Sequence, residues 1–241
     1  MLLSHSLRFH SDSVSSICTL KSNPVTSSAD GSVVLWDPFT HRPLQVINTP
    51  SNSTLPGGVL SVSPLDTSDE LFIQHRGGQY TLFNCSNSES TSSVKQNYSG
   101  FCKAKLVDSN TALLPGSDDK SIDVVDFRLS QVVNSIPQPS ENGHLSSLEF
   151  YNQYTVGVGN EAGKVTLFDL RQPSVNLVEA TLFSDPVMCL STHGTTLLPA
   201  VVPITPFCSS GDPLHLLLLL PLLKHMHYFQ GSRDCGAMIP R

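Results

Sequence analysis

Near the start of the chain, four residues have the chemistry to form a hydrogen-bonded line: His10, Ser28, Asp30 and Trp36. The indole N–H of tryptophan only donates, and a neutral histidine can bridge a hydroxyl and a carboxylate because one ring nitrogen donates and the other accepts. Thr26 lies on the same face of the same predicted strand as Ser28 and is the alternative hydroxyl. We interpret the line as a structural link across one sheet.

A second group of polar residues recurs along the chain. Each member follows a short β-rich run, where a side-chain oxygen can cap a turn by accepting backbone N–H groups. Catalysis needs groups that converge with shifted pKa values, whereas a position that repeats spreads its carboxylates apart. The sequence therefore predicts a structural role for this set, which comprises Asp37, Asn84, Asp126 and Asp169.

Motifs for catalysis and cofactor binding are absent: the sequence has no GxSxG, HExxH or GxxxxGK[ST]. The glycines of "GVGNEAG" (157–163) precede a strand rather than a helix, so we interpret them as a turn and not as a dinucleotide site. The acidic clusters at 66–70 and 116–119 are typical of solvated loops, with Ca²⁺ or a basic partner as the alternative. We expect no enzyme activity and no cofactor.

A metal site is also not expected. The histidines and cysteines of the last forty residues have spacings that match no zinc pattern; they are Cys208, His215, His225, His227 and Cys235.

The element that positions the recurring residues is itself a repeat. "DGSVVLWD" (30–37) aligns with "GGQYTLFN" (77–84), "DKSIDVVD" (119–126) and "AGKVTLFD" (162–169). Each copy opens with turn residues, continues with a β-rich run and ends in a large apolar residue followed by Asp or Asn. The large residues recur every 42 to 47 residues, which is the period of a four-stranded propeller blade. The large residues are Trp36, Phe83, Val125 and Phe168, and the turn glycines are Gly31, Gly78 and Gly163.

The repeat predicts an all-β fold, a WD40-type β-propeller with four blades and the start of a fifth, in an incomplete ring. One four-stranded sheet cannot cover both of its faces, so each blade is expected to pack on the next. In the third blade the whole run 100–107 is expected to form the inner strand. The blades are placed at about 10–48, 58–98, 100–136 and 144–183, with a fragment at 186–191.

The repeat pattern stops after Ser191. We divide the chain into a partial propeller, 4–191, and a non-repeat tail, 192–241, which we expect to be poorly ordered and to stand where further blades would complete the ring. The fifth unit is expected to lack a second strand. The run "LHLLLLLPLLK" (214–224) has ten residues before its lysine, too few for the ~20 that span a membrane, so no membrane partner is expected.

The composition of the chain narrows the classes of binding partner that are expected. The net charge is −6 and no Lys/Arg-rich run occurs, which argues against nucleic acid. The first twelve residues lack the continuous apolar run of a secretory signal. Cys18, Cys102 and Cys189 fall within apolar runs, so buried, reduced thiols are expected.

The aligned segments make the chain resemble the WD-repeat proteins. More narrowly it is similar to the guanine nucleotide-binding protein subunit beta-like protein 1 family, through "YSGFCKAKLV", "NEAGKVTLFDLRQ" and "SDPVMCLS". Only the first unit has a true Trp-Asp ending, and the other units end in Phe-Asn, Val-Asp and Phe-Asp.

This resemblance implies a non-catalytic scaffold in the cytoplasm and nucleus. It implies an adaptor linked to the cochaperone assembly that matures phosphatidylinositol-3-kinase-related kinases, with protein partners and no small-molecule substrate. The alternatives are other WD-repeat roles: a ubiquitin-ligase substrate receptor or a ribosome-assembly factor. The polar linkers 48–58, 85–96 and 137–144 are our candidates for partner contact.

Overall fold

The architecture comes from a computed structural model, which describes residues 6–48, 58–65, 68–118, 120–172, 176–193 and 196–201. The chain divides into two compact units, 1–204 and 205–241, and every described residue belongs to the first. The part of the predicted tail beyond 201, including the five His and Cys residues named above, lies outside the described residues.

The fold is all-β, as the repeat predicts. The described residues form eighteen strands in four four-stranded antiparallel sheets and one two-stranded sheet, and in each of these sheets the strands lie in chain order. The described residues contain one 3-10 turn, Ser140–Asn142, and no α-helix. None of their segments is a helix with the length and apolarity to cross a membrane.

The first two units have complete sheets. The first comprises β1 (Val14–Leu20), β2 (Asn23–Ser28), β3 (Ser32–Trp36) and β4 (Pro43–Asn48). The second comprises β5 (Val59–Pro64), β6 (Glu70–His75), β7 (Gln79–Asn84) and β8 (Glu89–Lys95).

The later units follow the same plan. The third has β9 (Lys105–Leu106), β10 (Thr111–Pro115), β11 (Ile122–Asp126) and β12 (Gln131–Ile136), and the fourth has β13 (Leu145–Phe150), β14 (Thr155–Asn160), β15 (Lys164–Asp169) and β16 (Asn176–Thr181). The two-stranded sheet pairs β17 (Val187–His193) with β18 (Thr196–Val201).

The third strand of the first unit shows why the sheets stack. All five residues of β3 are buried, so both faces of the sheet are covered at this strand. An exposed face would give alternating burial. The run Val33–Val34–Leu35 is therefore a consequence of packing on two sides.

Among the residues that the structure describes, buried side chains form four hydrophobic clusters, and each joins consecutive sheets. Between the first and second sheets, Val25, Val33 and Leu35 pack with Leu71 and Ile73. Burial of side chains of this size is worth about 1.5–3 kcal/mol each. The equivalent cluster between the second and third sheets contains Phe72, Tyr80, Leu114, Val125 and Phe127, the next contains Leu113, Ile136, Leu148, Val158 and Phe168, and the last contains Val165, Leu167, Val187, Leu190 and Leu197.

One contact links units that are not consecutive. The Nζ of Lys103, just before β9 of the third unit, donates to the main-chain oxygen of Ser15 in β1 of the first unit, at 3.3 Å. In a straight stack, sheets ~10 Å apart would put these two units about 20 Å from each other. The contact is compatible with units turned about a common axis, as in a β-propeller.

The structure corrects four expectations. The inner strand of the third unit is two residues long, because a side chain replaces its ladder (below). The fifth unit has a second strand, β18, so the regular structure continues ten residues beyond Ser191. The linker 85–96 is mostly strand β8, paired with β7. Cys189 is exposed and Cys18 is only partly buried, whereas Cys102 is buried.

Candidate functional site

The polar line of the first unit is formed, through Thr26 rather than Ser28. Trp36 Nε1 donates to Thr26 Oγ1 at 2.8 Å, and that hydroxyl lies 2.7 Å from His10 Nε2. The other ring nitrogen, Nδ1, is 2.8 Å from Ser32 Oγ, which donates to Asp30 at 2.6 Å. Ser32 is a member that the sequence reasoning missed, although it directly follows the turn glycine.

The order of donors in this line follows from chemistry. The Trp36 N–H can only donate, so the Thr26 hydroxyl accepts this hydrogen bond and donates one of its own to His10 Nε2. His10 then carries its ring proton on Nδ1 and donates to Ser32, whose hydrogen goes to the Asp30 carboxylate. Every group in the line has a partner, so the arrangement locks the sheet and holds no free nucleophile.

Asp30 closes the line and also shapes the turn between β2 and β3. Burial by itself would raise its pKa, but hydrogen bonds from the Ser32 hydroxyl, the Ser32 N–H and the Ser11 N–H outweigh it, so the pKa lies well below its ordinary value. Ser28 supports the same turn by accepting the Asp30 N–H at 3.1 Å. Gly31, at φ +89°, supplies the left-handed residue that the turn requires.

Removing the central hydroxyl tests this assignment. Thr26→Val keeps the shape of the side chain but leaves the Trp36 N–H and a His10 nitrogen buried without partners, which costs about 1–3 kcal/mol of unfolding free energy. Ser28→Ala, the matched control, removes only the contacts of the Ser28 hydroxyl with Asp30 in the turn, keeps the partners of Trp36 and His10, and should cost less. Urea titration measures both, and equal losses would contradict the placement of Thr26.

The recurring Asp or Asn residue caps the loop between the third and fourth strands in every complete unit. Each side chain accepts the backbone N–H two residues further on, at 2.8 or 2.9 Å. In the first three units the residue four positions after the cap has positive φ, so the loops share one conformation; these residues are His41, Ser88 and Ser130. The capping side chains are those of Asp37, Asn84, Asp126 and Asp169.

Two of these carboxylates are neutralised by an arginine two residues later. Arg128 and Arg171 each bind their aspartate through Nε and Nη2. The side-chain hydrogen bonds from these arginines lower the pKa of Asp126 and of Asp169 to about 2. Neither carboxylate is placed to act as a base.

From the second unit onward, the large apolar residue that ends each repeat faces the preceding unit. Phe83 packs on the cluster shared with the first sheet, Val125 on that shared with the second, and Phe168 on that shared with the third. Trp36, the member in the first unit, is 1% exposed. The turn glycines of the later units, Gly78 and Gly163, adopt φ of +77° and +73°, and a Cβ at either would overlap a backbone oxygen.

The remaining candidate motifs have structural partners. Gly157 and Gly159 of the glycine run lie against the fifth unit. A Cβ at Gly157 would be 2.9 Å from the Leu197 side chain, and one at Gly159 would be 2.7 Å from that of Val187, so the absence of side chains here allows the fifth unit to pack. Asp118 caps the turn before β11 by accepting the N–H groups of Lys120 and Ser121. Asp66, Thr67 and Asp119 of the acidic clusters lie outside the described residues.

Among the residues that the structure describes, no three His, Cys, Asp or Glu side chains gather as they would around a metal ion. A cavity of about 300 Å³ lies between the first and second units, lined by Thr19, Lys21, Leu65, Ser68 and Asp69. Its charged groups, Lys21 and Asp69, pair with each other at 2.5 Å.

His75 at the end of β6 is a buried titratable group. It is 8% exposed, its Nε2 lies 3.4 Å from Thr81 Oγ1, and burial lowers its pKa to about 4. Gln74, beside it, is fully buried and binds the next unit: it accepts the Ala104 N–H at 2.8 Å and donates to the Cys102 carbonyl at 3.0 Å. This amide takes the place of the ladder that β9 lacks.

The burial of neutral His75 predicts a pH dependence. Above the ordinary histidine pKa of 6.5, His75 is neutral in both the folded and the unfolded chain, and stability is full. As pH falls from 6.5 to about 4, His75 binds a proton in the unfolded chain but not in the folded chain. Unfolding free energy should fall by up to about 3 kcal/mol across this window. His75→Gln should flatten the profile of urea midpoint against pH in this window, and an unchanged slope would contradict the burial.

The comparison with known proteins adds no family. No protein-family model matches the chain, and no curated protein sequence matches it.

Proposed function

We propose that the chain is a WD40-type β-propeller that acts as a non-catalytic scaffold for protein–protein interaction. The observation that carries this proposal is the stacking of repeated sheets through four shared clusters, which makes a rigid support for the loops at the strand ends. The Trp36–Thr26–His10–Ser32–Asp30 line supports the WD40 assignment of the first unit.

The state of the polar residues favours a scaffold over an enzyme. The recurring carboxylates cap loops or pair with arginines, and the histidine of the first unit has both nitrogens bonded. A catalytic site needs polar groups left available to a substrate. Their use within the fold supports surface recognition as the proposed function.

We further propose that the scaffold is an adaptor for the cochaperone assembly that matures phosphatidylinositol-3-kinase-related kinases, in the cytoplasm and nucleus. This step rests on the sequence resemblance. Quantitative affinity purification of the tagged full chain tests it, with the tag alone as control. Enrichment of the kinase cochaperone subunits is expected; enrichment of cullin adaptors or preribosomal proteins in their place would overturn it.

The non-catalytic part of the proposal has its own test. Ligands that bind the native state raise Tm. Nucleotides and divalent cations, titrated separately against the full chain, should leave Tm unchanged. A rise that saturates with one of them would contradict a scaffold without ligand chemistry.

A further inference from the structure

The segment that enters the third unit, 98–104, is held rigidly by buried groups. The Tyr98 hydroxyl accepts the Cys102 N–H at 2.7 Å, and the Gln74 amide holds Cys102 and Ala104 from the other side. Gln74 is in turn fixed by the Ser61 hydroxyl at 2.9 Å. Gly100 allows the Tyr98 ring to fold back, because a Cβ there would overlap the Tyr98 oxygen.

This rigid segment alternates buried and exposed side chains. Tyr98, Cys102 and Ala104 are buried, whereas Phe101 is 67% exposed and Lys103 is exposed. The guanidinium carbon of Arg76, from the turn after β6, lies 5.5 Å from the centre of the Phe101 ring. An aromatic ring held in place by its backbone loses little conformational freedom on binding, and aromatic and arginine side chains carry much of the energy of protein interfaces.

The two cations at this surface, Arg76 and Lys103, are not neutralised by carboxylates of the described residues; Lys103 donates only to a main-chain oxygen. Five other cations of the described residues are neutralised in ion pairs, namely Lys21–Asp69, Lys105–Glu149, Arg128–Asp126, Lys164–Glu179 and Arg171–Asp169. On a chain of net charge −6, two uncompensated cations beside an exposed ring form a local basic and apolar surface.

We propose that Arg76, Phe101 and Lys103 form a docking site for an acidic linear segment of a protein partner. The partner's carboxylates bind the two cations, and an apolar side chain of the same segment packs on the free face of Phe101. Complementary charge sets orientation and speeds encounter, and the aromatic contact supplies affinity. The inference rests on the proposed scaffold function and names the chemical class of one partner site.

Selection from a random library of displayed 12-residue peptides against the immobilised full chain tests this site. We expect the enriched peptides to carry net negative charge. Their synthetic forms, followed by fluorescence anisotropy, should bind at least tenfold more weakly to Arg76→Glu and to Phe101→Ala. Binding should also weaken as salt is raised, because the attraction is partly Coulombic.

Two matched variants at the opposite ends of the strands serve as controls. Phe39 is 88% exposed and Arg42 is exposed, so Phe39→Ala and Arg42→Glu make the same chemical changes away from the site. They should leave affinity within twofold. All four variants change exposed side chains, and unchanged Tm would show that each still folds.

Several results would overturn the site: no enriched peptide, enriched peptides without acidic bias, equal affinity for all four variants, or single-stranded poly(dT) bound more tightly through the same two residues. These results leave the scaffold proposal standing if the affinity purification still recovers the cochaperone subunits. Conversely, peptide binding at Arg76 and Phe101 without that recovery would retain the site and remove the assigned assembly.

Discussion

Trp36→Ala should lower the free energy of unfolding of the full chain by about 3–5 kcal/mol, which is the usual cost of emptying a buried aromatic site. Trp36 is 1% exposed, and its indole N–H lies 2.8 Å from the Thr26 hydroxyl in the first sheet. The substitution also removes the N–H donor that orders the Thr26–His10–Ser32 line. The cavity and the lost hydrogen bond therefore both lower the free energy of unfolding.

Urea titration followed by far-UV circular dichroism measures this loss. Phe39→Ala is the matched control, because Phe39 is 88% exposed and its removal should change stability by less than about 0.5 kcal/mol. A loss below about 1 kcal/mol for Trp36→Ala would mean that the register of the first sheet is wrong, since a buried indole cannot be removed that cheaply.

Gly163→Ala should be the second most damaging substitution, at about 3 kcal/mol or more. Gly163 forms the turn between β14 and β15 at φ +73°, and a Cβ there would overlap the main-chain oxygen of Phe183. Backbone cannot yield as a side chain can, because Leu182 and Phe183 both donate their N–H groups to the Gly163 carbonyl. The new methyl group must therefore distort the approach to the fifth unit.

Gly143→Ala separates the cost of a left-handed backbone conformation from the cost of overlap with a main-chain oxygen. Gly143 also has positive φ, +71°, but its nearest neighbour would be the Glu161 side chain at 3.1 Å. It should cost about 1–2 kcal/mol, the penalty of a left-handed residue alone. Thermal and urea unfolding of both variants measure the difference, and equal losses would show that the Phe183 carbonyl imposes no close contact.

The features that the sequence could predict are those with a local signal. The turn residues, the β-rich run, the large residue and the capping Asp or Asn lie within eight residues, so four units could be aligned, and their all-β, antiparallel sheets are confirmed. The Trp36, His10 and Asp30 members of the polar line were also recognisable by residue type. Ser32 was not, because a serine after a turn glycine is common and only its distance to His10 distinguishes it.

The features that it could not predict depend on long-range contacts. Gln74 replaces the ladder of β9 from another sheet, and no local pattern around 74 or 104 marks that substitution. Strand β18 contains Pro199 and lacks the turn-plus-run pattern, yet it pairs along β17 because Leu197 packs against Val165 and Leu167. Tertiary burial decides such segments, and local propensity does not.

The same limit applies to the candidate docking site. Arg76 and Phe101 are 25 positions apart, and their stacking follows from how the second sheet meets the third. The sequence pattern places partner contact in polar linkers instead. One of these linkers is strand β8, and the segment that presents Phe101 is predicted from the sequence as an inner strand.

The most direct test of the account is whether the first and third units meet. Val14→Glu places a carboxylate on a half-exposed position next to Ser15, whose main-chain oxygen lies 3.3 Å from the Lys103 amine. Carbodiimide coupling joins an amine and a carboxylate only in contact, and the native pair Lys105–Glu149, at 2.8 Å, is a positive control within the same chain. Units turned about a common axis predict an intramolecular link between the new carboxylate and Lys103 by mass spectrometry, lost when Lys103→Arg is added. Recovery of the Lys105–Glu149 link without the link from position 14 to Lys103 would contradict that arrangement and favour a straight stack of sheets.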